Sequence, residues 1–375
     1  MIYFDNAATT KPSERALKQA AAFNDEYFFN PSALYRGGLF CHNALADAKA
    51  SILKNLGLSE NKYETIFTSC GSESDNTAIF GTVKRGTFVT DKGEHSAVIK
   101  CFNELKNRGH NVFFCGLNKN GSVNEDELLD FVSKNKTDFV SVMHVNNETG
   151  AINDVNSISE KVKKLSPDVV FHSDGVQAYG KIKTVLSDNI DLYSISAHKI
   201  NGLKGTGALV KKKRLNVSPL IYGGGQENGL RSGTENVFGI KVFQYAGAEH
   251  YEKINENFTL VSEVKNYILN NLDSDSFRII SDDKTSPYIL SVSAVGLKGE
   301  VFMHSLEEKQ IIVGNGSACS AKNKFSRVIE ACGYRNNVLD GVIRLSFSAE
   351  NTLEEAKYFV QCANEIATNL KRIMR

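Results

Sequence analysis

A lysine that closes an apolar run, flanked by small and imidazole side chains, can do covalent chemistry, and Ser196-Ala197-His198-Lys199 is such a stretch. It follows the strand-like residues 191–195 and precedes a glycine-rich segment, 202–207. The amine of Lys199 can form a Schiff base with an aldehyde cofactor. Ser196 and His198 beside it can hold that cofactor's phosphate. Asp174, Gln177, His95, Ser72 and Cys319 stand in contexts that would complete the same site.

Gly71-Ser72-Glu73-Ser74-Asp75 follows a strand and opens a helical run. A helix start offers unpaired N–H groups and a positive dipole end, which suit a phosphate. Ser72 with Asp75 also reads as a plain capping box. Asp174, in His172-Ser173-Asp174-Gly175-Val176-Gln177, can pair with a protonated pyridine nitrogen and keep such a ring an electron sink. Gln177 can reach the ring's phenolic oxygen, although Asp-Gly alone is a common turn. His95, before a helix, can stack on a flat ring and shuttle a proton near neutral pH. Asn147, in Asn146-Asn147-Glu148-Thr149-Gly150, can donate to a ring oxygen or a substrate carboxylate, while His144 reads as structural. Cys319 lies in Gly316-Ser317-Ala318-Cys319-Ser320, a small, glycine-bearing segment followed by Lys322-Asn323-Lys324. An accessible thiol beside lysines becomes a nucleophile when its pKa is lowered; a buried, inert cysteine is the bland alternative. Arg344 sits in an alternating strand, and its planar fork suits a carboxylate unless it simply faces outward.

Positioning these side chains needs a sheet. Residues 65–68, 87–90, 111–114, 139–143, 169–172 and 192–195 read as strands separated by helical patterns such as 97–108 and 154–165. That alternation predicts an α/β fold with a mostly parallel sheet covered on both faces. Ligands in such sheets sit beyond the carboxyl ends of the strands, where Ser72, His95, Asn147, Asp174 and Lys199 all fall. A long helical stretch, 235–272, leads into an α+β pattern with strands at 278–280, 289–292 and 342–347. The strand-like Ile2-Tyr3-Phe4 reads as an arm joining one of the two parts.

Composition narrows the classes. The chain has 375 residues, 41% apolar and 23% charged, with a net charge of +1, which gives no global drive toward nucleic acid or anionic membrane. No leader and no bilayer-length apolar run is visible, so a cytoplasmic protein is expected. Seven cysteines occur without a C-x-x-C pair, which supports reduced thiols and no metal site. The absence of an early G-x-G-x-x-G removes a nicotinamide dehydrogenase.

Taken together, Tyr3-Phe4-Asp5-Asn6-Ala7-Ala8, Thr68-Ser69-Cys70-Gly71-Ser72-Glu73-Ser74-Asp75, Glu94-His95, Asn146-Asn147-Glu148, Asp174-Gly175-Val176-Gln177, Ser196-Ala197-His198-Lys199, Arg231-Ser232-Gly233-Thr234-Glu235-Asn236, Ser317-Ala318-Cys319 and Ile343-Arg344-Leu345-Ser346 occur in one order. That order resembles the cysteine desulfurases, the NifS-like group of the aminotransferase class V family. The resemblance implies a fold-type I enzyme using pyridoxal 5′-phosphate. It implies a seven-stranded large domain over 15–255, an α+β small domain over 256–375 carrying the Cys319 loop, and an arm, 1–14, joining the small domain.

The roles it implies are specific. Lys199 would hold the cofactor and move the Cα proton, Asp174 would pair with the pyridine nitrogen, and Gln177 with the phenolic oxygen. His95 would stack on the ring. Gly71, Ser72, Ser196 and His198 would bind the phosphate, and Thr234 that of a partner subunit, making a homodimer. Arg344 and Asn147 would hold the carboxylate of L-cysteine, with Asn147 also at the cofactor. Cys319 would take the sulfur as a persulfide, leaving L-alanine, and pass it to an iron–sulfur scaffold or a tRNA thiolation enzyme. Three departures stand out: Lys322-Asn323-Lys324-Phe325 replaces the usual Leu-Glu-Pro stretch, Gly202-Leu203-Lys204-Gly205 lacks the usual proline, and Tyr35 replaces a histidine. A selenocysteine lyase, a class V aminotransferase and a non-catalytic sulfur carrier are the competing readings.

Overall fold

The computed structural model describes residues 1–82, 85–282, 284–315 and 325–373. Among them, strand β1 (Ile2–Phe4) is followed by seven that form the larger sheet: β2 (Tyr63–Thr68), β3 (Thr87–Asp91), β4 (Asn111–Cys115), β5 (Phe139–Ser141), β6 (Val170–Asp174), β7 (Leu192–Ser196) and β8 (Gly207–Lys212). Their order is β2-β8-β7-β6-β5-β3-β4. The pairs from β4 to β7 are parallel, and β8 runs antiparallel to both β7 and β2. The mostly parallel sheet expected from the strand–helix alternation is therefore present, with the seven strands that the resemblance implied.

Period-two alternation explains why both faces are covered. Phe88, Phe139, Leu192 and Leu209 point into one apolar cluster, while their neighbours Val89, Val140, Tyr193 and Val210 point into another on the opposite face. Helices such as Gly71–Thr82 and Ser96–Asn107 cover the first face, and Arg36–Asn55 and Val155–Leu165 the second. The 235–272 stretch is two helices, Val237–Glu252 and Ile254–Asn271, rather than one; Lys253, with ψ of 18° and φ of −114°, breaks the run.

The smaller sheet joins β1 to β9 (Phe277–Ile279), β10 (Ile289–Ala294), β11 (Ile311–Asn315) and β12 (Val342–Ser346) in the order β1-β11-β12-β10-β9. Only the β1–β11 pair is parallel. Phe4, Phe302 and Phe359 anchor its core. Among the described residues no helix is long and apolar enough to cross a membrane.

Candidate active site

The carboxyl edge of the larger sheet carries the candidate groups. β7 ends at Ser196 and the chain turns once through a 3₁₀ segment, Ala197–Lys199. Buried Ala197 pins the turn, and Asn201 leaves it in the left-handed region with φ of 60°. Asn201 holds that conformation with bonds from its N–H to Thr10 Oγ1 and from Nδ2 to the Lys11 carbonyl, each 2.7 Å. The arm is thus stitched to the lysine turn. Lys199 Nζ donates to the carbonyl oxygens of Ala7 and Ala8, each at 2.7 Å.

Asp174 is the last residue of β6 and is buried. Burial pushes its carboxyl up to about 6, against the opposing pull of the Val176 N–H, 2.9 Å from Oδ1, and of Lys199. Asp75 lies behind it. The capping-box reading of Ser72 and Asp75 fails because Asp75 turns into the core, 1% exposed, with Oδ1 3.6 Å from His172 Nε2. Burial first and then the Asp174 charge hold the Asp75 carboxyl well above the usual range.

His95 caps the helix Ser96–Asn107, accepting the Ala97 N–H on Nδ1 at 3.2 Å. An accepting Nδ1 places the proton of the neutral ring on Nε2. Burial, then the cations Lys199, Arg327 and Arg344, push the imidazole down to about 4, so the neutral form dominates near pH 7. The helix Gly71–Thr82 begins beside Ser196: a Cβ on Gly71 would come within 2.8 Å of Val176 Cγ2 and 3.6 Å of Ser196 Cβ. Among the described residues the buried Ser196 hydroxyl has no hydrogen-bond partner. His198 shares a hydrogen bond of 3.1 Å between Nδ1 and Thr9 Oγ1, and burial and nearby lysines push it down to about 4.

Arg344, on β12, brings the smaller sheet to the same place. One guanidinium nitrogen donates to the Asn147 carbonyl and another to Asp5 Oδ1, both at 2.8 Å, while the buried Nε has no hydrogen-bond partner among the described residues. A cavity of about 320 Å³ is lined by Lys199, Asp174, Gln177, His95, Arg344 and Asn147, and also by Gly71, Ser72, Ser196 and His198. Thr234 is not among them; with Ser69, Thr206 and Arg231 it lines a separate recess. Cys319 lies outside the described residues.

The sequence reading missed three contributors. Glu148 lines the cavity and accepts a short hydrogen bond from the Ser326 hydroxyl. Arg327 donates to the carbonyls of Lys92 and Glu94, just ahead of His95. Lys181 is buried behind Gln177. Lys181 falls four residues after Gln177, a spacing that could have flagged it.

A family model described as aminotransferase class-V matches residues 2–359. The chain belongs to the aminotransferase class-V family. Within that family, a NifS/IcsS protein homolog of Lactobacillus delbrueckii subsp. bulgaricus is 36% identical, over 100% of this chain and 99% of its own length. A putative cysteine desulfurase IscS 1 of Bacillus subtilis is 34% identical, over 99% of each. A solved NifS-like protein superposes with a TM-score of 0.90 at 32% identity, covering 98% of this chain and 99% of its own. The NifS-like resemblance read from the motifs is thereby borne out, and so is the fold that it implied.

Proposed function

We propose that this class-V family member is a pyridoxal 5′-phosphate-dependent cysteine desulfurase that converts L-cysteine to L-alanine with a persulfide on Cys319. The observation that carries the reading is the single cavity into which Lys199, Asp174, His95, Gln177 and Arg344 converge from both sheets. The donor set fits the cofactor. The orphaned Ser196 hydroxyl and the start of the helix Gly71–Thr82 suit its phosphate. Asp174 suits its pyridine nitrogen, Gln177 its phenolic oxygen, and His95 the face of its ring. Ser72 and His198 complete the phosphate set. When bound, the cofactor supplies an electron sink for charge developing at the substrate Cα.

The chain's own groups do the rest. Arg344 and Asn147 hold the substrate carboxylate. Lys199 Nζ takes the Cα proton and later serves as a proton donor. His95, neutral with its hydrogen on Nε2, is arranged to donate a hydrogen bond at that atom; as the acid or base we assign, it would give up a proton only from its imidazolium form. The Cys319 thiolate attacks the substrate Sγ; the S–S bond forms as the C–S bond breaks, its electron pair returning to carbon, which is protonated to give alanine. Atoms balance, and the sulfur leaves on Cys319. We assign its onward transfer to an acceptor protein, an iron–sulfur scaffold or a tRNA thiolation enzyme, in the cytoplasm. Thr234, set apart from this cavity, is assigned to the phosphate of a partner subunit in a homodimer. We assign 1–14 to an arm joining the small domain, 15–255 to the large cofactor-binding domain and 256–375 to the small domain carrying the Cys319 loop.

The test is release of alanine and sulfide from L-cysteine with added reductant, comparing wild type with Cys319→Ala. The reading predicts that wild type releases both, and that the variant keeps its cofactor colour and loses turnover. A variant as active as wild type would remove Cys319 as sulfur acceptor and favour a lyase or transaminase.

A further inference from the structure

We propose that Lys181 is a positioning residue that orients and polarises the Gln177 amide, so that Gln177 turns an N–H donor, and not its carbonyl, toward an anionic oxygen of the bound cofactor. This rests on the pyridoxal-phosphate reading above. Lys181 is 3% exposed and its Nζ donates to Gln177 Oε1 at 2.7 Å. Gln177 Nε2 in turn donates to the Ala7 carbonyl at 2.9 Å.

An amide has two ends that differ only in their hydrogen-bond sense, and its neighbours decide between them. Here both neighbours agree: the amine of Lys181 gives an N–H, and the Ala7 carbonyl can only accept. The amide nitrogen has two N–H groups, and Ala7 takes one of them. The other remains for a ligand in the cavity that Gln177 lines. A charge on Oε1 draws density from the amide and strengthens the donor at its far end. The Ala7 carbonyl already receives the Lys199 Nζ at 2.7 Å, so it is a shared acceptor and a weaker hold on the amide by itself.

Among the described residues no carboxylate pairs with this buried amine, and such an amine is costly to keep and needs a reason. Among the described residues, Lys199 and Arg344 act on the charge of Lys181, and His198 and His250 feel it. None of these is an acid, and burial with the two cations pushes the Lys181 amine down to about 7. Protonated or neutral, it keeps an N–H for Oε1, so the amide's orientation survives the change.

The test reads the cofactor's visible absorption band against pH in protein loaded with pyridoxal 5′-phosphate. A donor on the phenolic oxygen competes for it with the neighbouring protonated nitrogen, which then loses its proton at lower pH. Weakening the donor raises the midpoint. Lys181→Met is expected to raise it by about one pH unit, Gln177→Leu to raise it similarly, and Lys181→Arg, still donor-only, to stay near wild type. In the Gln177→Leu background Lys181→Met should add nothing, because the path runs through the amide. If Lys181→Met loses its circular-dichroism spectrum, Lys181→Gln, whose amide can face either way, takes its place with the same expected rise. A midpoint that does not move overturns the proposal. So does a rise that persists in full without Gln177, since Lys181 would then act only by its charge. Wild-type protein that forms no band overturns both this proposal and the cofactor reading.

Discussion

Arg344 and Asp5 come from opposite ends of the chain and meet at 2.8 Å, Arg344 also lining the cavity. Their side chains are 7% and 20% exposed, so the pair is largely withdrawn from water. Gly314 of β11 makes the meeting possible: a Cβ there would lie 2.5 Å from Asp5 Oδ1 and 3.1 Å from the guanidinium. Asp5 and the Asn147 carbonyl hold the guanidinium in one orientation, which on the proposed reading would aim it before substrate arrives. Hydrogen bonds to charged groups contribute about 1.5–3 kcal/mol each. Arg344→Ala is therefore expected to raise the KM for L-cysteine by about 10- to 100-fold with a smaller change in kcat. Arg344→Lys, which keeps the charge and loses the planar fork, should recover only part of that. Steady-state alanine release decides it, and an unchanged KM would move the carboxylate site elsewhere.

On the proposed reading Asp174 should behave differently, because its partner would be charge in the ring and not the substrate. Asp174→Asn keeps the shape and removes the carboxylate. Turnover is expected to fall by about 10²–10³-fold, the cost typical of removing one group aimed at developing charge. Lys199 and the phosphate groups remain, so cofactor colour should persist. Removing the Asp174 charge also lets the Asp75 carboxyl fall toward its usual range, since that charge is one of the causes holding it up. Carboxyl carbon resonances followed against pH would show the fall; an Asp75 midpoint that stays put would mean that burial alone sets it.

Much of this was legible in the sequence because apolar strands punctuate it at short intervals and the reactive residues fall just after them. Lys199, Asp174 and His95 could be placed on one sheet edge from that rule alone. β8 was not legible, and the reason is physical. It starts at Gly207, which reads as part of a glycine loop, and ends in Lys211 and Lys212, which read as solvent-facing. Both lysines are buried, paired to Glu64 at 2.6 Å and Asp191 at 2.8 Å. β11 was lost in the same way, its Gly314 reading as a loop residue when it makes room for the Arg344–Asp5 pair. The burial of Lys181 and Asp75 was not legible, because spacing can bring a residue to notice but only the fold shows that its surroundings are dry.

The protonation of His95 gives a pH prediction with a definite sign. Its folded midpoint lies near 4, below the ordinary 6.5. The unfolded chain therefore binds this proton first as pH falls. The stability linked to His95 is present above about 6.5 and lost on acidification toward about 4. In cofactor-free protein the His95 ring resonances should stay in the neutral pattern through pH 6. Lys199→Ala removes the first cation acting against the imidazolium, so the midpoint should rise while remaining below 6.5, because burial is the larger cause. A histidine titration by two-dimensional NMR reads both. A midpoint near 6.5 in wild type would mean that water reaches the ring.

Asp191 makes a prediction about stability rather than chemistry. It sits just ahead of β7, and its carboxylate accepts from Lys163 Nζ at 2.5 Å, from Lys212 Nζ at 2.8 Å and from the Phe171 N–H at 2.8 Å. One acid thus ties the helix Val155–Leu165 and strands β6 and β8 to the strand that delivers Lys199. Its side chain is 6% exposed, and those of Lys163 and Lys212 are 15% and 9% exposed. Breaking a buried pair by removing one partner costs about 3–5 kcal/mol, because the other charge stays buried and uncompensated. Here two amines would be stranded together, so Asp191→Ala belongs at the upper end of that range. Asp191→Asn keeps an acceptor oxygen for Phe171 but loses the charge, and should fall between the two. Urea unfolding followed by circular dichroism measures the difference. If Asp191→Ala loses less than 1 kcal/mol of stability, water reaches both lysines and the cluster behaves as a surface ion pair.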